Sequence, residues 1–312
     1  MKKIVGHNTK LDYLDRVIKG DETSHAYCFY GPSRIGKTTV GIAFSKAILC
    51  CGDKDGLNPC NECQNCRLFD ANNLPDFYLN DTGEAIGVEE IRELVHFLEL
   101  KPYQSKIKVA LISHAERMSV QSANAFLKSL EEPPINTLII LTTDNLDNLL
   151  PTIISRTQLI KFGALTDQEV YDYLSDTLEL EKEKADQISQ YCNGKLGLAI
   201  AMVEDENLFS SSKDFFADFI SALDNDSYVA KIQAGEKFSQ NSDLAEKYLD
   251  TLESNLHRQL YRLDNNAEGL KIVGLLDKIA KSREYLLKNV NPRLVWESIL
   301  FTKGSNDKSY RC

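Results

Sequence analysis

The 312-residue sequence has no apolar run near the ~18 residues a membrane span requires. Its opening, MKKIVGHNTKLDYLDRVIKGDE, is basic at first but lacks the apolar stretch of a secretory signal, so a cytoplasmic protein is expected. Positive charge is in deficit: 36 Lys and Arg face 46 Asp and Glu, a net charge of -10. A surface that gripped nucleic acid along its whole length would be basic, so any DNA contact is expected to be local or shared with partners. Proline is scarce beyond the middle, with seven of eight at or before Pro151 and the last at Pro292. There is no internal repeat and no low-complexity tract. At 43% hydrophobic and 26% charged, the composition is that of an ordinary globular chain.

The front half alternates short apolar runs with helical patterns. Strand-like segments are His25 to Tyr30, Asp76 to Leu79, Lys108 to Ile112 and Leu138 to Leu141. Helical spacing covers Thr38 to Leu49 and Val88 to Leu100, where Ile91, Leu94, Val95 and Leu98 share a face. It recurs at Ala123, Phe126, Leu127 and Leu130, and Pro133-Pro134 stops that helix. The alternation predicts an α/β fold built on a parallel sheet. After Phe162 the pattern is helical, with Thr166 and Glu169 spaced as a capping box and Asn193-Gly194 interrupting a helix. The ending KGSNDKSYRC reads as a frayed tail.

Gly31-Pro32-Ser33-Arg34-Ile35-Gly36-Lys37-Thr38 fits the phosphate-loop pattern G-x-x-x-x-G-K-[ST], between a predicted strand and a predicted helix. Gly31, Ser33 and Gly36 would turn backbone N–H groups toward phosphates. Lys37 would neutralise phosphate charge, Thr38 would ligate Mg2+, and Thr39 is taken with them at the helix start. The candidate ligand is ATP or ADP with Mg2+; a chance glycine turn is the plainer reading. Hydrolysis also needs a carboxylate at the end of a neighbouring strand. The Val109–Ile112 strand instead leads into Ser113-His114, and Glu116 is expected to point elsewhere. Weak or absent turnover follows, unless Glu116 or another acid substitutes. Thr142, Thr143 and Asp144 follow the next strand as polar candidates. His7 and His25 read as structural groups or neighbours of a base pocket.

Five of the eight cysteines fall between Cys50 and Cys66. Cys51, Cys60, Cys63 and Cys66 form C-x8-C-x2-C-x2-C, a spacing that lets four thiolates close around one tetrahedral Zn2+. Such a site is structural, because no coordination position is left for a reacting water. Cys50 competes with Cys51 as first ligand, and redox or buried free thiols are the alternatives. Cys28, Cys192 and Cys312 read as non-ligands.

A phosphate loop followed by an inserted four-cysteine module resembles the bacterial clamp-loader branch of the AAA+ proteins. The stretch Ser122 to Pro134, SANAFLKSLEEPP, is similar to that family's signature helix. Ser155-Arg156-Thr157 stands where the family has Ser-Arg-Cys, and Asn291 to Val295 resembles its collar ending. Two departures are similar to the family's non-motor, delta-prime branch. Ser113-His114 replaces the acidic pair, and Gly194-Lys195-Leu196-Gly197 carries glycine where a sensor arginine is usual.

The resemblance implies an AAA+ core over 1–162 with a zinc module at about 50–67. It further implies a helical lid over 163–206, a helical collar that oligomerises over 207–302, and a tail over 303–312. It implies a stator-like subunit of the DNA polymerase III clamp loader. Its partners would be ATPase motor and delta-like subunits, the sliding clamp indirectly, and primer-template DNA through the assembly, with no membrane. Arg156 would serve a neighbour's ATP in trans as an always-charged planar donor, where local context alone reads it as a surface arginine. Two other functions stand beside this one: an active ATPase motor of the same loader, and a nucleotide-gated zinc adaptor outside replication. Glu131-Glu132 reads as a solvated helix end, and Lys281, Arg283 and Lys288 as a faint basic patch.

Overall fold

The computed structural model describes residues 4–20, 24–240, 242–262, 266–287 and 290–301. The expected tail, Lys288 and Cys312 lie outside the described residues. By contact the chain divides into two units, Met1–Leu165 with Lys195–Gly197, and Thr166–Gly194 with Leu198–Cys312.

The first unit runs α1 (Asn8–Lys19), β1 (Ala26–Tyr30), α2 (Lys37–Leu49), α3 (Gln64–Asp70), β2 (Phe77–Asn80) and α4 (Val88–Glu99). It continues with β3 (Lys108–Ile112), α5 (Val120–Glu131), β4 (Thr137–Thr143), α6 (Pro151–Ile154) and β5 (Gln158–Lys161). The five strands form one sheet in the order β2-β3-β4-β1-β5. Every pairing is parallel, with Ala26 opposite Ile139, Val109 opposite Leu138 and Tyr27 opposite Gln158. The α/β expectation therefore holds.

Burial on both faces explains why the strands read as continuous apolar runs rather than alternating ones. Alternate residues still separate by face. Tyr27, Phe29, Val109, Leu111, Leu138 and Ile140 pack with Leu14 and Val17 of α1 and Val40 and Phe44 of α2. Ala26, Cys28, Ala110, Ile112, Ile139 and Leu141 pack with Ile91, Leu94 and Leu98 of α4 and Phe126 and Leu130 of α5. Val95, expected on the buried face of α4, is only half-buried. Four elements of this unit were not anticipated: α1, whose apolar positions are thinly spread through a charged stretch, the short helices α3 and α6, and β5, a four-residue edge strand.

β1 lies between β4 and β5, so the carboxyl ends of β1, β3 and β4 stand side by side at the edge where open parallel sheets bind ligands. The phosphate loop, Ser113-His114 and Asp144 all emerge there.

The cysteine module is tied to this core by buried polar groups. Asp76 is fully buried, and its carboxylate accepts backbone N–H bonds from Tyr103 (2.7 Å), Gln104 (2.8 Å) and Ser105 (2.6 Å). Gln104 donates to Asn65 Oδ1 at 2.8 Å, and Asn65 Nδ2 donates to the Leu49 carbonyl (2.8 Å) and Ser105 Oγ (3.0 Å). Buried Lys46 of α2 donates to Asn61 Oδ1 at 2.7 Å and pairs with Asp70 at 2.8 Å.

The second unit holds α7 (Asp167–Asp176), α8 (Lys182–Tyr191), α10 (Glu206–Asp224), α11 (Tyr228–Ser239), α12 (Ser242–Arg262), α13 (Asn266–Leu287) and α14 (Pro292–Leu300), with most of α9 (Leu196–Glu204). The capping box read from Thr166 and Glu169 opens α7. Trp296, Phe219, Leu249 and Ile279 centre the core, and the Phe215 and Tyr248 rings stack at 3.9 Å.

Burial pushes the Asp76 carboxyl up, but the Tyr103, Ser105 and Gln104 N–H groups outweigh it and hold the carboxyl below its ordinary value. A depressed folded pKa adds stability that is complete above the unfolded value of about 3.9 and is lost as pH falls through the folded value. Asp76→Asn should therefore cost about 2–3 kcal/mol at pH 7, with the deficit narrowing below about pH 4. Urea unfolding of both proteins across pH checks this.

Candidate nucleotide and metal sites

The phosphate loop closes on itself through a buried lysine. Gly31 (φ 142°) and Gly36 (φ 97°) take backbone conformations that favour glycine, and Arg34 stands between them in the left-handed region at φ 60°. At Gly31 a Cβ would meet the Phe162 carbonyl oxygen at 2.1 Å, so no side chain fits. Lys37, the first residue of α2, is 6% exposed. Its Nζ donates to the carbonyls of Gly31 and Pro32 and to Asp144 Oδ1, each at 2.7 Å. Ser33 and Gly36 lie in the loop, and Thr38 and Thr39 in the first turn of α2. His7 Nε2 lies 3.2 Å from the Ile35 carbonyl, and its ring meets Phe162 edge-on, a structural role. His25 is likewise structural, with Nε2 3.0 Å from the Leu130 carbonyl.

The end of β3 differs in part from the sequence reading. Ser113 is buried, and its hydroxyl lies 3.1 Å from Thr38 Oγ1, so a neutral group faces the candidate Mg2+ ligand as expected. Glu116, however, does not point away. From a 3₁₀ turn (Ala115–Arg117) its Oε1 lies 3.2 Å from His114 Nδ1, and Oε2 is buried without a hydrogen-bond partner. His114 Nδ1 lies 3.9 Å from Asp144 Oδ2. The reason is backbone geometry: His114 is left-handed (φ 54°), and the chain folds back over the sheet end. Burial pushes the Cys28 thiol up to about 12, with the Glu116 charge adding to the rise and Lys37 opposing it. Both charges therefore act on the middle of β1.

Gly197, the glycine read from sequence in place of a sensor arginine, packs directly on the phosphate loop. Its N–H donates to the Arg34 carbonyl at 2.8 Å, and a Cβ would meet that oxygen at 3.0 Å. The Gly197 backbone is thus in direct contact with the phosphate loop.

The sulfur cluster corrects the first ligand. The sulfurs that lie within 4.8 Å of one another belong to Cys50, Cys60, Cys63 and Cys66. Cys51 is exposed and stands outside this set. The cause is the end of α2: Cys50 is its extended C-cap (φ -62°, ψ 128°) and is buried, whereas Cys51 is the exposed residue that follows. The sulfur separations are 3.5 Å for Cys50–Cys60, 3.9 Å for Cys50–Cys63 and 4.0 Å for Cys60–Cys66. Four Zn–S bonds of ~2.3 Å in a tetrahedron put sulfurs about 3.8 Å apart, so the set fits zinc. A Cβ at Gly52 would lie 2.7 Å from Cys60 Sγ, so the fold keeps this position small.

Backbone N–H groups of Cys60, Cys63 and Cys66 donate to the sulfurs of Cys50, Cys60 and Cys63 at 3.4–3.5 Å. Burial pushes the Cys63 thiol up, but the N–H groups of Cys66 and Cys51 and the neighbouring thiols bring it down to about 5. Burial instead raises Cys50 and Cys66. A bound divalent cation would supply the positive charge that lets all four ionise together.

Arg156 follows α6. Its guanidinium pairs with Glu131 Oε1 at 2.7 Å and donates to the Thr152 carbonyl (2.9 Å) and Ser155 Oγ (3.1 Å). Glu131, read from sequence as a solvated helix end, is its ion-pair partner.

Reduced protein is expected to carry about one zinc per chain, which Cys50→Ser should lose and Cys51→Ser should keep. Metal analysis of the three proteins decides; the opposite pattern would restore Cys51 as the ligand.

Residues 6–166 match the family described as DNA polymerase III, delta subunit. The chain is 35% identical to the delta' subunit of Bacillus subtilis DNA polymerase III over 158 residues, covering 50% of this chain and 47% of that one. Against the delta' subunit of Pseudomonas aeruginosa it is 39% identical over 136 residues, covering 43% and 41%. It is also 28% identical to the gamma/tau subunit of Mycoplasma genitalium over 302 residues, covering 90% of this chain and 50% of that one. The chain thus spans about half the length of these curated relatives. Among the described residues no helix is long and apolar enough to cross a membrane. With a phosphate loop, a four-thiol module and a family match over half its length, the chain belongs to the DNA polymerase III delta subunit family, among the clamp-loader proteins.

Proposed function

We propose that the chain is a non-motor, delta-prime-type subunit of a DNA polymerase III clamp loader, acting in the cytoplasm. The observation that carries this reading is the end of β3, where the Ser113 hydroxyl faces Thr38 at 3.1 Å. A hydroxyl does not supply the negative charge that a hydrolytic Mg2+ site needs at that position. Glycine at position 197 supports the same reading, since it provides no cation for a γ-phosphate. The phosphate loop would bind ATP or ADP with Mg2+ through Gly31, Ser33, Gly36, Lys37, Thr38 and Thr39, with little turnover. The four-thiol site would hold structural zinc.

In this reading residues 1–162 form an AAA+ core, 163–206 a helical lid and 207–302 an oligomerising collar. The partners are ATPase motor and delta-like subunits, and through the assembly the sliding clamp and primer-template DNA. Arg156 would stabilise developing phosphoryl charge on ATP held by a neighbouring motor subunit. ATP binding then favours one ring geometry over another, which couples nucleotide to clamp opening.

One observation favours a second reading, an active motor subunit. Glu116 and Asp144 both bring carboxylates to the strand ends beside the phosphate loop.

ATPase turnover of the reconstituted loader, with clamp and primed DNA, separates the two. The isolated chain should be silent, and Arg156→Ala should cut turnover of an intact assembly by about tenfold or more. Turnover by the isolated chain that is lost in Lys37→Ala would establish the motor instead.

A further inference from the structure

Besides the four thiols, one group of metal-ligating side chains comes within 4.8 Å among the described residues: His114, Glu116 and Asp144. They come from the segment after β3 and the end of β4, which the parallel pairing of those strands sets side by side. The set offers one imidazole nitrogen and two carboxylate oxygens. Glu116 Oε2 is buried and has no hydrogen-bond partner. A buried carboxylate oxygen left without a donor is costly unless a cation or a donor satisfies it.

We propose that His114, Glu116 and Asp144 form a divalent-cation site at the sheet end, in place of the missing strand-end carboxylate pair. The mixed nitrogen and oxygen donors select a first-row transition cation of the Mn2+ class; Mg2+ prefers an all-oxygen shell.

Lys37 regulates this site. Its ammonium lies 2.7 Å from Asp144 Oδ1, and a cation at the triad would share that carboxylate with it. Lysine and metal therefore compete for Asp144. A phosphate drawn into the loop would take Lys37 and release Asp144 to the cation. Cation and nucleotide then bind with positive coupling, each strengthening the other by the same factor. This coupling rests on the proposed nucleotide binding; the cation site itself does not.

The test is Mn2+ binding to zinc-loaded full-length chain, read by electron paramagnetic resonance without nucleotide. Zinc loading keeps the thiolates out of the titration. The wild type should bind Mn2+, and His114→Asn and Glu116→Gln should each weaken it at least about tenfold. Asn tolerates the left-handed backbone at position 114, and Gln preserves the volume at 116. Lys37→Met should tighten Mn2+ at least about tenfold by freeing Asp144. Equal binding by the His114 and Glu116 variants, or no binding by either wild type or Lys37→Met, overturns the site. ATP binding measured in EDTA tests the nucleotide reading separately. Its failure with Mn2+ binding intact removes the coupling alone, and the reverse result removes the cation site alone.

Discussion

A lysine ammonium 6% exposed to solvent needs anionic and carbonyl partners, and Lys37 organises the sheet end around that need. It stands at the N-terminus of α2, where the helix dipole already places positive charge. Two carbonyls of its own loop and the Asp144 carboxylate answer it. Lys37 is buried but Asp144 is about one-third exposed, so breaking the pair costs more than the ~0–1 kcal/mol of a surface pair and less than the ~3–5 kcal/mol of a fully buried one. The loop conformation, the C-terminal end of β4 and the position of Asp144 are therefore coupled. The Gly31 N–H, which donates to the Thr143 carbonyl at 3.3 Å, fixes the same two strands from the other side. The protein's own carboxylate thus fills the electrostatic role that phosphate would take.

The cysteine module depends on the same kind of argument at the far end of α2. Cys50 ends that helix and is a member of the sulfur cluster, so the orientation of α2 sets both sites. Lys46, Asn65 and Asp76 make the connection rigid by satisfying backbone and side-chain groups that burial would otherwise leave bare. Four sulfurs and their N–H donors form a closed unit, and Leu57, Leu68 and Phe69 around it pack into the core of the sheet rather than into a core of its own. Its stability would therefore come from a bound metal and the anchoring bonds, as expected of a small insert that cannot build a core.

Much of this was legible in the sequence, and the limits have physical causes. Doubly buried strands such as Val109–Ile112 are uninterrupted apolar runs, so they can be read directly. The phosphate loop is legible because its chemistry fixes residue types at fixed spacing. Edge strand β5 was not, because Gln158 and Lys161 flank only two apolar residues. Cys50 and Cys51 could not be separated by spacing: which thiol turns inward depends on one ψ angle at the end of α2. Glu116 escaped for a similar reason. A left-handed histidine reverses the chain after β3, and no residue type signals that reversal, since histidine occupies this region only occasionally. Asp144 was visible as a polar residue at a strand end, but its partner Lys37 is 107 positions away.

The pairing of Arg156 with Glu131 bears on how an arginine could serve a neighbouring subunit. Glu131 is about half exposed and Arg156 about one-third, so water and salt screen the pair. Exposed pairs of this kind contribute about 0–1 kcal/mol. A triphosphate carries several times the charge of one carboxylate and offers the guanidinium bidentate acceptors. Such a group would therefore displace Glu131 at small cost. Until then the carboxylate holds the guanidinium in one of the few orientations open to a flexible side chain. The entropy of ordering that side chain, up to about 2 kcal/mol, is then partly spent before any partner arrives. Glu131 lies in the last turn of α5, on the segment whose sequence most resembles the family's signature helix. That helix therefore contributes to the placement of Arg156 as well as to the core beneath it, where Phe126 and Leu130 are buried.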